Sequence, residues 1–258
     1  MASGGLPFTA TLPRSTFDPT MKATQWEFTN RALLFGVIFS VAFSLYVLDH
    51  QNSATVLADW LGARIGMNAD LLLRLVLALA ALLLIVAAGV RTWASAYLHA
   101  GVVYAAAVKT ESLVADGPYR FVRNPLYVAN VLMAISLGSM MSRIGFIAAV
   151  VLMWVFCYRL ILREEIELRA SQGEGYERYC KIVPRLWPSW VPHIAAAGRQ
   201  GNWSAGFKAE LWYWGLAAGM TVLAITLNTT LFFVVVSASI ALLWVSSWLL
   251  QRKPTSVG

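Results

Sequence analysis

The chain has 258 residues, of which 59% are hydrophobic and only 13% charged, and its net charge is +7. Soluble domains usually carry about 25% charged residues, so this composition indicates an integral membrane protein. The chain has only two cysteines, which excludes a secreted scaffold stabilised by several disulfides. Its positive charges flank apolar stretches, where they orient spans against a lipid surface, which argues against a nucleic-acid binder.

The N-terminal segment is predicted to be a disordered cytoplasmic tail and helix lead-in, residues 1–30. Its first 20 residues are rich in Pro, Ser, Thr and Gly and lack a basic stretch followed by an apolar one, so they do not form a signal peptide. Thr24 with Glu27 three residues later is a capping box that can start the first helix.

Six apolar stretches are candidate transmembrane helices, because a helix crosses a hydrocarbon core of about 30 Å with about 20 residues. Very short connections join the third stretch to the fourth and the fifth to the sixth, which predicts two helical hairpins. We therefore expect an all-α, polytopic membrane bundle. The predicted spans cover residues 32–48, 71–90, 126–141, 144–162, 211–227 and 229–250.

The distribution of Lys and Arg predicts the orientation of these spans. With a cytoplasmic N-terminus, 17 of the 20 Lys and Arg residues fall on the cytoplasmic side, as the positive-inside rule requires. The exceptions are Arg64, Arg74 and Arg143. We expect six spans, both termini in the cytoplasm and a multi-pass membrane location.

The fifth span carries a small-residue motif, Gly215 with Gly219. Such a motif allows close helix contact, either within the bundle or with a second subunit, so a homo-oligomer through this face stays open. We find no internal repeat of the kind from which many transporters are built.

Two polar stretches on the predicted cytoplasmic side are candidates for chemistry: residues 109–127 and 159–188. The hairpin of residues 126–162 connects them, so both lie at its inner mouth. In the first stretch Pro125 opens a helix, whose free amides and positive dipole end favour a carboxylate or phosphate. A basic loop that contacts lipid headgroups is the alternative.

The second stretch contains Glu164 and Glu165 directly after an apolar segment. Carboxylates at a membrane boundary are costly unless they are paired or solvated. Arg159, Arg163 and Arg169 are within helical reach, so an ion-paired helix end is one interpretation. The other is a pocket for a zwitterionic cofactor, with Glu binding an ammonium group and helix amides binding a carboxylate.

These two stretches resemble a known family. The segment GPYRFVRNPLY, a hairpin, and then EEIELRASQGEGYERYCKIVPRLWP are similar to the isoprenylcysteine carboxyl methyltransferase and phospholipid methyltransferase family of membrane enzymes. That family shows G-x-Y-x-x-x-R-H-P-x-Y, a hairpin, and E-E-x-x-L-x-x-x-x-G-x-x-Y-x-x-Y. The similarity covers about residues 90–190, and residues 1–90 and 200–258 lie outside it.

The resemblance implies S-adenosylmethionine as methyl donor, bound at the cytoplasmic face, and a lipophilic acceptor that enters from the bilayer. It implies that Arg159 or Arg163 approaches the acceptor. The family's usual His is Asn124 here, and an amide cannot carry a positive charge. The implied cofactor-binding residues are Glu111, Ser112, Leu113, Val114, Tyr119, Asn124, Pro125, Leu126, Tyr127 and Glu164, with Glu165 beside it.

The predicted organisation follows: two N-terminal spans in residues 31–90, a methyltransferase-like core in 91–190, and a C-terminal hairpin and tail in 191–258. The acceptor remains open among a prenylcysteine carboxylate, a phospholipid amine and a small lipophilic thiol or acid. The alternatives are a membrane sterol-type reductase that uses NADPH, or a scaffold with a decayed site. Three scattered histidines give no metal-ligand spacing, so we expect no metal.

Overall fold

The computed structural model describes residues 21–107 and 115–251, and the side chains of residues 21–98 and 115–245. The described residues are helical, with no named strand among them. Short 3-10 turns follow α2 at Leu45–Val47 and precede α5 at Gly117–Arg120. The helices are α1 (Gln25–Thr29), α2 (Arg31–Ser44), α3 (Ser53–Ile65), α4 (Ala69–Ala107), α5 (Pro125–Gly138), α6 (Arg143–Ile182), α7 (Trp203–Ala209), α8 (Leu211–Thr226) and α9 (Thr229–Gln251).

The hairpin of α5 and α6 defines two ends of the bundle. Pro125 occupies the first turn of α5, where its missing N–H costs nothing, and we call this the Pro125 end. At the other end Ser142 caps α6 by accepting a hydrogen bond from the Gly145 N–H, and we call this the Ser142 end. The antiparallel bridge of Asn52 with Ser142 brings the connection after α2 to the same place.

Helix α4 is central and packs against α3, α5, α7 and α8. Its inward face carries small side chains, and Ala80, Ala81, Ala87 and Ala88 are almost fully buried. Small residues let helix backbones approach closely, which strengthens van der Waals packing where the hydrophobic effect does not drive helices together. At the Ser142 end, Arg74 of α4 donates to the carbonyl of Ile225 in α8.

The small residues predicted on the fifth span pack α8 against α9 within the chain. A Cβ added at Gly215 would lie 2.6 Å from the Ser239 Cβ, and one added at Gly219 would lie 2.8 Å from a methyl group of Val236. This close approach requires glycine at both positions. Helix α9 therefore covers the face of α8 that carries Gly215 and Gly219. Of the two contacts that the motif allows, the structure shows the one within the chain.

Each of the six predicted spans contains a helix, but the lengths differ. Among the described residues, two helical segments are long and apolar enough to cross a membrane: Ala69–Leu98, which is part of α4, and Arg143–Ile182. The other apolar helices are shorter: Arg31–Val47, Pro125–Gly138, Leu211–Thr226 and Thr229–Val245. A helix of 14 residues is about 21 Å long, so α5 alone does not match a 30 Å hydrocarbon core.

Helix α3, between the first two predicted spans, was not predicted. Asn52 caps its start by accepting a hydrogen bond from the Thr55 N–H, and Gly66 ends it with a left-handed φ of 69°. The backbone N–H of Ser53 donates to Met141, so α3 begins against the turn between α5 and α6. With 13 residues it is too short to count as a span.

Helix α6 continues 20 residues beyond the predicted span, from 162 to Ile182. Gly173 interrupts it with a φ of 55°, a conformation that favours glycine, so two helical segments meet there at an angle. The chain then crosses the Pro125 end as an irregular segment before α7, which packs against α4.

Candidate functional site

A cavity of about 700 Å³ opens at the Pro125 end between α2, α4, α5 and α6. This volume is in the range of small-molecule sites. It has charged groups of both signs, several tyrosines and an apolar portion. Its lining residues are Arg31, Phe35, Arg91, Leu98, Tyr119, Arg123, Asn124, Pro125, Leu126, Tyr127, Asn130, Glu164, Glu167, Leu168, Ser171, Gln172, Tyr176 and Tyr179.

The structure brings most of the predicted cofactor residues to this one cavity. All of the predicted residues on the loop and first turn of α5 line it, and so does Glu164 from α6. The predicted residues Glu111, Ser112, Leu113 and Val114 lie outside the described residues. The predicted cofactor residues that line the cavity are Tyr119, Asn124, Pro125, Leu126, Tyr127 and Glu164.

Glu164 is half-buried in the cavity wall and is oriented by a tyrosine. The Tyr127 O–H donates to its Oε1 at 2.6 Å. A carboxylate accepts about four hydrogen bonds, so Glu164 can accept further bonds from a ligand. Burial, together with the negative charge of Glu164, raises the pKa of Tyr119 far above its ordinary value.

Glu165 has a different environment, although it was predicted to share the cofactor site. Its side chain is 1% exposed and does not line the cavity. Arg123 donates to it at 2.8 Å, Arg169 at 3.0 Å, and Arg185 donates twice, at 3.0 and 2.8 Å. These bonds occupy the carboxylate, so Glu165 ties the loop before α5 to α6 and to the segment after it.

Arg159 and Arg163, the predicted acceptor-binding residues, lie outside the cavity lining and hold the N-terminal segment instead. Arg159 donates two hydrogen bonds to the Glu27 carboxylate, at 3.0 and 2.8 Å. Arg163 donates to the Ala23 carbonyl at 3.2 Å and to Gln25, and pairs with Glu167 at 2.9 Å.

The capping box predicted at Thr24 is present and belongs to this segment. The Thr24 hydroxyl accepts from the Glu27 N–H, and the Glu27 carboxylate accepts from the Thr24 N–H. The backbone N–H of Thr24 and the guanidinium of Arg159 hold the pKa of Glu27 below its ordinary value. Glu27 is thus both a helix cap and an ion-pair partner of α6.

A buried network at the cavity floor was missed by the sequence analysis. Arg91 of α4 donates two hydrogen bonds to the Glu210 carboxylate, which precedes α8, and one to Asn130 Oδ1 of α5 at 2.7 Å. Ser95 donates to Glu210 at 2.6 Å, and the Tyr213 hydroxyl donates to Asn130 Oδ1 at 2.6 Å. The network joins three helices.

The Arg91 guanidinium also lies over the Tyr213 ring, 4.5 Å from its centroid. The sequence feature that could have indicated this network is the presence of Arg91 in the apolar helix α4 and of Glu210 directly before the apolar helix α8. A buried charge is tolerated when it is paired, which implies a partner, but spacing could not identify one 119 positions away.

The segment of residues 183–201 braces the loop that contains Tyr119. Arg123 N–H donates to the Pro184 carbonyl at 2.9 Å, and the Asn124 amide donates to the Arg185 carbonyl at 3.1 Å. The buried Asp116 accepts from the backbone of Ala197 and Arg199, at 2.8 and 2.9 Å. Asn124, at the family's histidine position, therefore connects two loops and lines the cavity.

Metal-ligating residues do not cluster in the part of the chain that the structure describes: no group of three or more His, Cys, Asp or Glu there could hold a metal ion. Cys157 is buried and Cys180 half-buried, and both are free. Cys180 Sγ accepts a hydrogen bond from Arg123 at 3.0 Å.

Comparison with known proteins places these residues in context. The match to one relative, the cobalt-zinc-cadmium resistance protein CzcN of Cupriavidus metallidurans, is 26% identical over 136 residues. The match to the nickel-cobalt-cadmium resistance protein NccN of Alcaligenes xylosoxydans xylosoxydans is 26% identical over 135 residues. Each match covers 49% of this chain and 57% of the relative. No solved structure matches the chain.

A family model gives the more informative match. Residues 75–171 match the phospholipid methyltransferase model, and this range includes Arg91, Tyr127 and Glu164. Arg31 and Glu210 lie outside it. The resemblance predicted from the sequence motifs is thus confirmed: residues 75–171 match the phospholipid methyltransferase family, a group of membrane methyltransferases that includes the isoprenylcysteine carboxyl methyltransferase-like proteins.

Proposed function

We propose that this protein is a multi-pass membrane methyltransferase that uses S-adenosylmethionine to methylate a lipophilic acceptor, with its site facing the cytoplasm. The observation that carries the proposal is the cavity. Residues from both motifs of the matched segment, Asn124 to Tyr127 and Glu164, line one space of about 700 Å³.

The residues around the cavity suit this zwitterionic cofactor, which supplies a methyl group on a sulfonium. Glu164 offers a carboxylate for its ammonium group, with one oxygen already oriented by Tyr127. At the start of α5, Pro125 has no N–H, and the N–H groups of Tyr127 and Val128 donate to the Asn124 carbonyl. The Leu126 N–H and the positive dipole end of α5 are what this helix would offer a carboxylate. The rings of Tyr119, Tyr176 and Tyr179 provide flat apolar surface for a nucleobase.

The apolar part of the cavity supports a lipophilic acceptor. Phe35, Leu98, Leu126 and Leu168 line it together with the polar groups. The helices α4 and α6, which line the cavity, contain segments of membrane-spanning length, so this apolar wall would lie near lipid. The acceptor can therefore place a reactive polar group in the cavity while its hydrocarbon part stays in an apolar environment.

The contribution of the protein to the reaction is binding and orientation. Glu165 and its arginines fix the loop before α5, and Arg91 with Glu210 fixes the cavity floor. Holding two reactants in line lowers the barrier by converting a bimolecular step into an effectively unimolecular one. Burial of both reactants away from water strengthens the electrostatic interactions that hold them.

Isothermal titration calorimetry of the detergent-purified protein tests the proposal with two ligands, S-adenosylhomocysteine and NADPH. We expect saturable binding of S-adenosylhomocysteine and none of NADPH. Methyl transfer from labelled S-adenosylmethionine to prenylcysteine, phosphatidylethanolamine and a lipophilic thiol then identifies the acceptor. Binding of NADPH would support a reductase, and binding of neither ligand would support a scaffold. Either result would refute the proposal.

A further inference from the structure

Three arginines of the described residues line the cavity, and one of them differs from the other two in its partners. Arg91 pairs with the buried Glu210, and Arg123 pairs with the buried Glu165. Arg31, at the start of α2, forms no ion pair with any carboxylate of the described residues. Its guanidinium lines the cavity near Glu164, with which it interacts electrostatically, and no carboxylate of the described residues binds it directly.

The Arg31 side chain is nevertheless held in place. Its Nη1 donates to the Phe28 carbonyl at 2.9 Å, and its guanidinium lies 4.7 Å from the centroid of the Phe28 ring. The guanidinium of Arg163 lies 5.3 Å from the centroid of the same ring. The Phe28 ring therefore connects Arg31 at the cavity mouth to α6.

The segment that carries Phe28 is fastened to α6 along its length, and we call residues 23–31 the N-terminal strap. The Ala23 N–H donates to the Arg159 carbonyl at 3.0 Å. Arg163 bonds back to Ala23 and Gln25, and Arg159 bonds to Glu27. These contacts fix the position from which Arg31 extends.

The next cavity residue of α2 is apolar. Phe35 is four positions after Arg31, so both lie on one helical face, about 6 Å apart along the axis. Phe35 packs against Phe156 of α6 with ring centroids 5.4 Å apart. A charged group at the mouth and an apolar wall one turn deeper match an amphiphile with an anionic head.

We propose that Arg31 binds the anionic group, phosphate or carboxylate, of the amphiphile that enters the cavity, and that Arg159 and Arg163 position it through the N-terminal strap. This proposal deepens the proposed function, because it names the chemical class of the acceptor. An arginine suits the task, since its planar fork binds carboxylate and phosphate through two parallel hydrogen bonds. Arg31 lies outside the matched segment.

The test is a binding measurement in phosphatidylcholine nanodiscs. Radiolabelled dodecyl phosphate and dodecanol are the probes, and binding is the excess over protein-free nanodiscs. Inorganic phosphate as a competitor distinguishes a free anion from an amphiphile. We expect wild type to prefer dodecyl phosphate over dodecanol by at least about tenfold, the scale of hydrogen bonds to charged groups, and inorganic phosphate to compete weakly.

Arg31→Gln should abolish this preference, and Arg31→Lys should retain part of it, because lysine keeps the charge without the fork. Glu27→Gln and Arg159→Gln should reduce the preference severalfold. A strap with only a structural role would lower thermal stability in these variants and leave the ratio of the two affinities unchanged. That result would remove the positioning role.

Two controls complete the test. Arg64 lies over the Trp60 ring at 4.4 Å but does not line the cavity, and Arg178 is an exposed arginine of α6 outside the cavity lining. Neither Arg64→Gln nor Arg178→Gln should change the preference. An unchanged preference in Arg31→Gln, or an equal loss in Arg178→Gln, would overturn the proposal.

S-adenosylhomocysteine affinity is measured on the same samples. If wild type did not bind S-adenosylhomocysteine, the methyltransferase function would be refuted, whereas the dodecyl phosphate result would still test the role of Arg31. Retained affinity in Arg31→Gln shows that the variant is folded.

Discussion

Glu164 and Glu165 are neighbours in the sequence, yet their carboxylates bind different partners. Glu164 accepts one hydrogen bond from Tyr127 and borders the cavity, whereas Glu165 accepts four hydrogen bonds from three arginines and is 1% exposed. Consecutive residues of a helix point about 100° apart, since a turn takes 3.6 residues. One member of the acidic pair is thus open to a ligand and the other holds the fold together.

Glu164→Gln should weaken S-adenosylhomocysteine binding by about 1.5–3 kcal/mol, the scale of a hydrogen bond to a charged group. The reason is that glutamine keeps the shape but loses the charge that would meet an ammonium group. Calorimetry measures the change. Glu174→Gln, an exposed residue of the same helix, is the control and should bind as wild type does. Wild-type affinity in Glu164→Gln would remove this residue from the cofactor site.

Glu165→Gln should instead destabilise the protein by about 3 kcal/mol, because removal of one partner leaves buried charges uncompensated. The Arg123, Arg169 and Arg185 guanidinium groups would lose their common carboxylate. Thermal unfolding in detergent measures the effect, against a shift near zero in Glu174→Gln. A Glu165→Gln variant with wild-type stability and reduced cofactor affinity would return Glu165 to the site, as the sequence predicted.

The pair Arg91 and Glu210 should couple more strongly than Asp49 and Arg143. The first pair is almost enclosed, with side chains 17% and 4% exposed, whereas Arg143 is 52% exposed. Double-mutant cycles with Gln or Asn replacements measure the coupling in thermal unfolding. We expect about 2 kcal/mol for the first pair and a clearly smaller coupling for the second, as is usual for surface ion pairs. Equal coupling energies would contradict the arrangement at the cavity floor.

The Asp49 ion pair should also make stability depend on pH. Hydrogen bonds from Arg143 and from the backbone of Ile144 lower the pKa of Asp49 from 3.8 to about 2. A lowered folded-state pKa stabilises the protein above the ordinary pKa, and this contribution is lost as the pH falls from about 4 to 2. The stability difference between wild type and Asp49→Asn should disappear in that window. A constant difference would show that Asp49 acts without its charge.

Cysteine labelling tests the predicted orientation. In a background with Cys180→Ser, an impermeant reagent added from outside should label Met67→Cys, because Met67 is exposed in the turn between α3 and α4. It should not label Ser171→Cys, which borders the cavity. Labelling of Ser171→Cys from outside would show that the predicted orientation is wrong.

The parts of the fold that were predicted correctly depend on local signals. Pro125 marks the start of α5, Ser142 marks the start of α6, and the apolar run between them contains one helix, as expected. Helix α3 had local signals too, a cap at Asn52 and a stop at Gly66. It was missed because its 13 residues are too few to cross a membrane.

The candidate site was harder to predict because its side chains are paired over long distances in the chain. Periodicity placed Arg159 and Arg163 on one face of α6, but it could not show that this face contacts Glu27 rather than the cavity. For the same reason Arg91 was counted only as a topological charge, although it borders the cavity. The residue pattern along one helix predicts which side chains share a face of that helix, but it does not predict which neighbouring element that face contacts.

The long separation between Arg91 and Glu210 has a consequence for biogenesis. Glu210 and Tyr213 are synthesised about 120 residues after Arg91, so α4 enters the membrane before its carboxylate partner exists. Until α8 inserts, the arginine at the cavity floor must remain hydrated or turn toward the headgroups. The floor of the cavity is therefore completed late, and a ribosome stalled before α8 would leave a nascent chain that has the family motifs but an unfinished cavity.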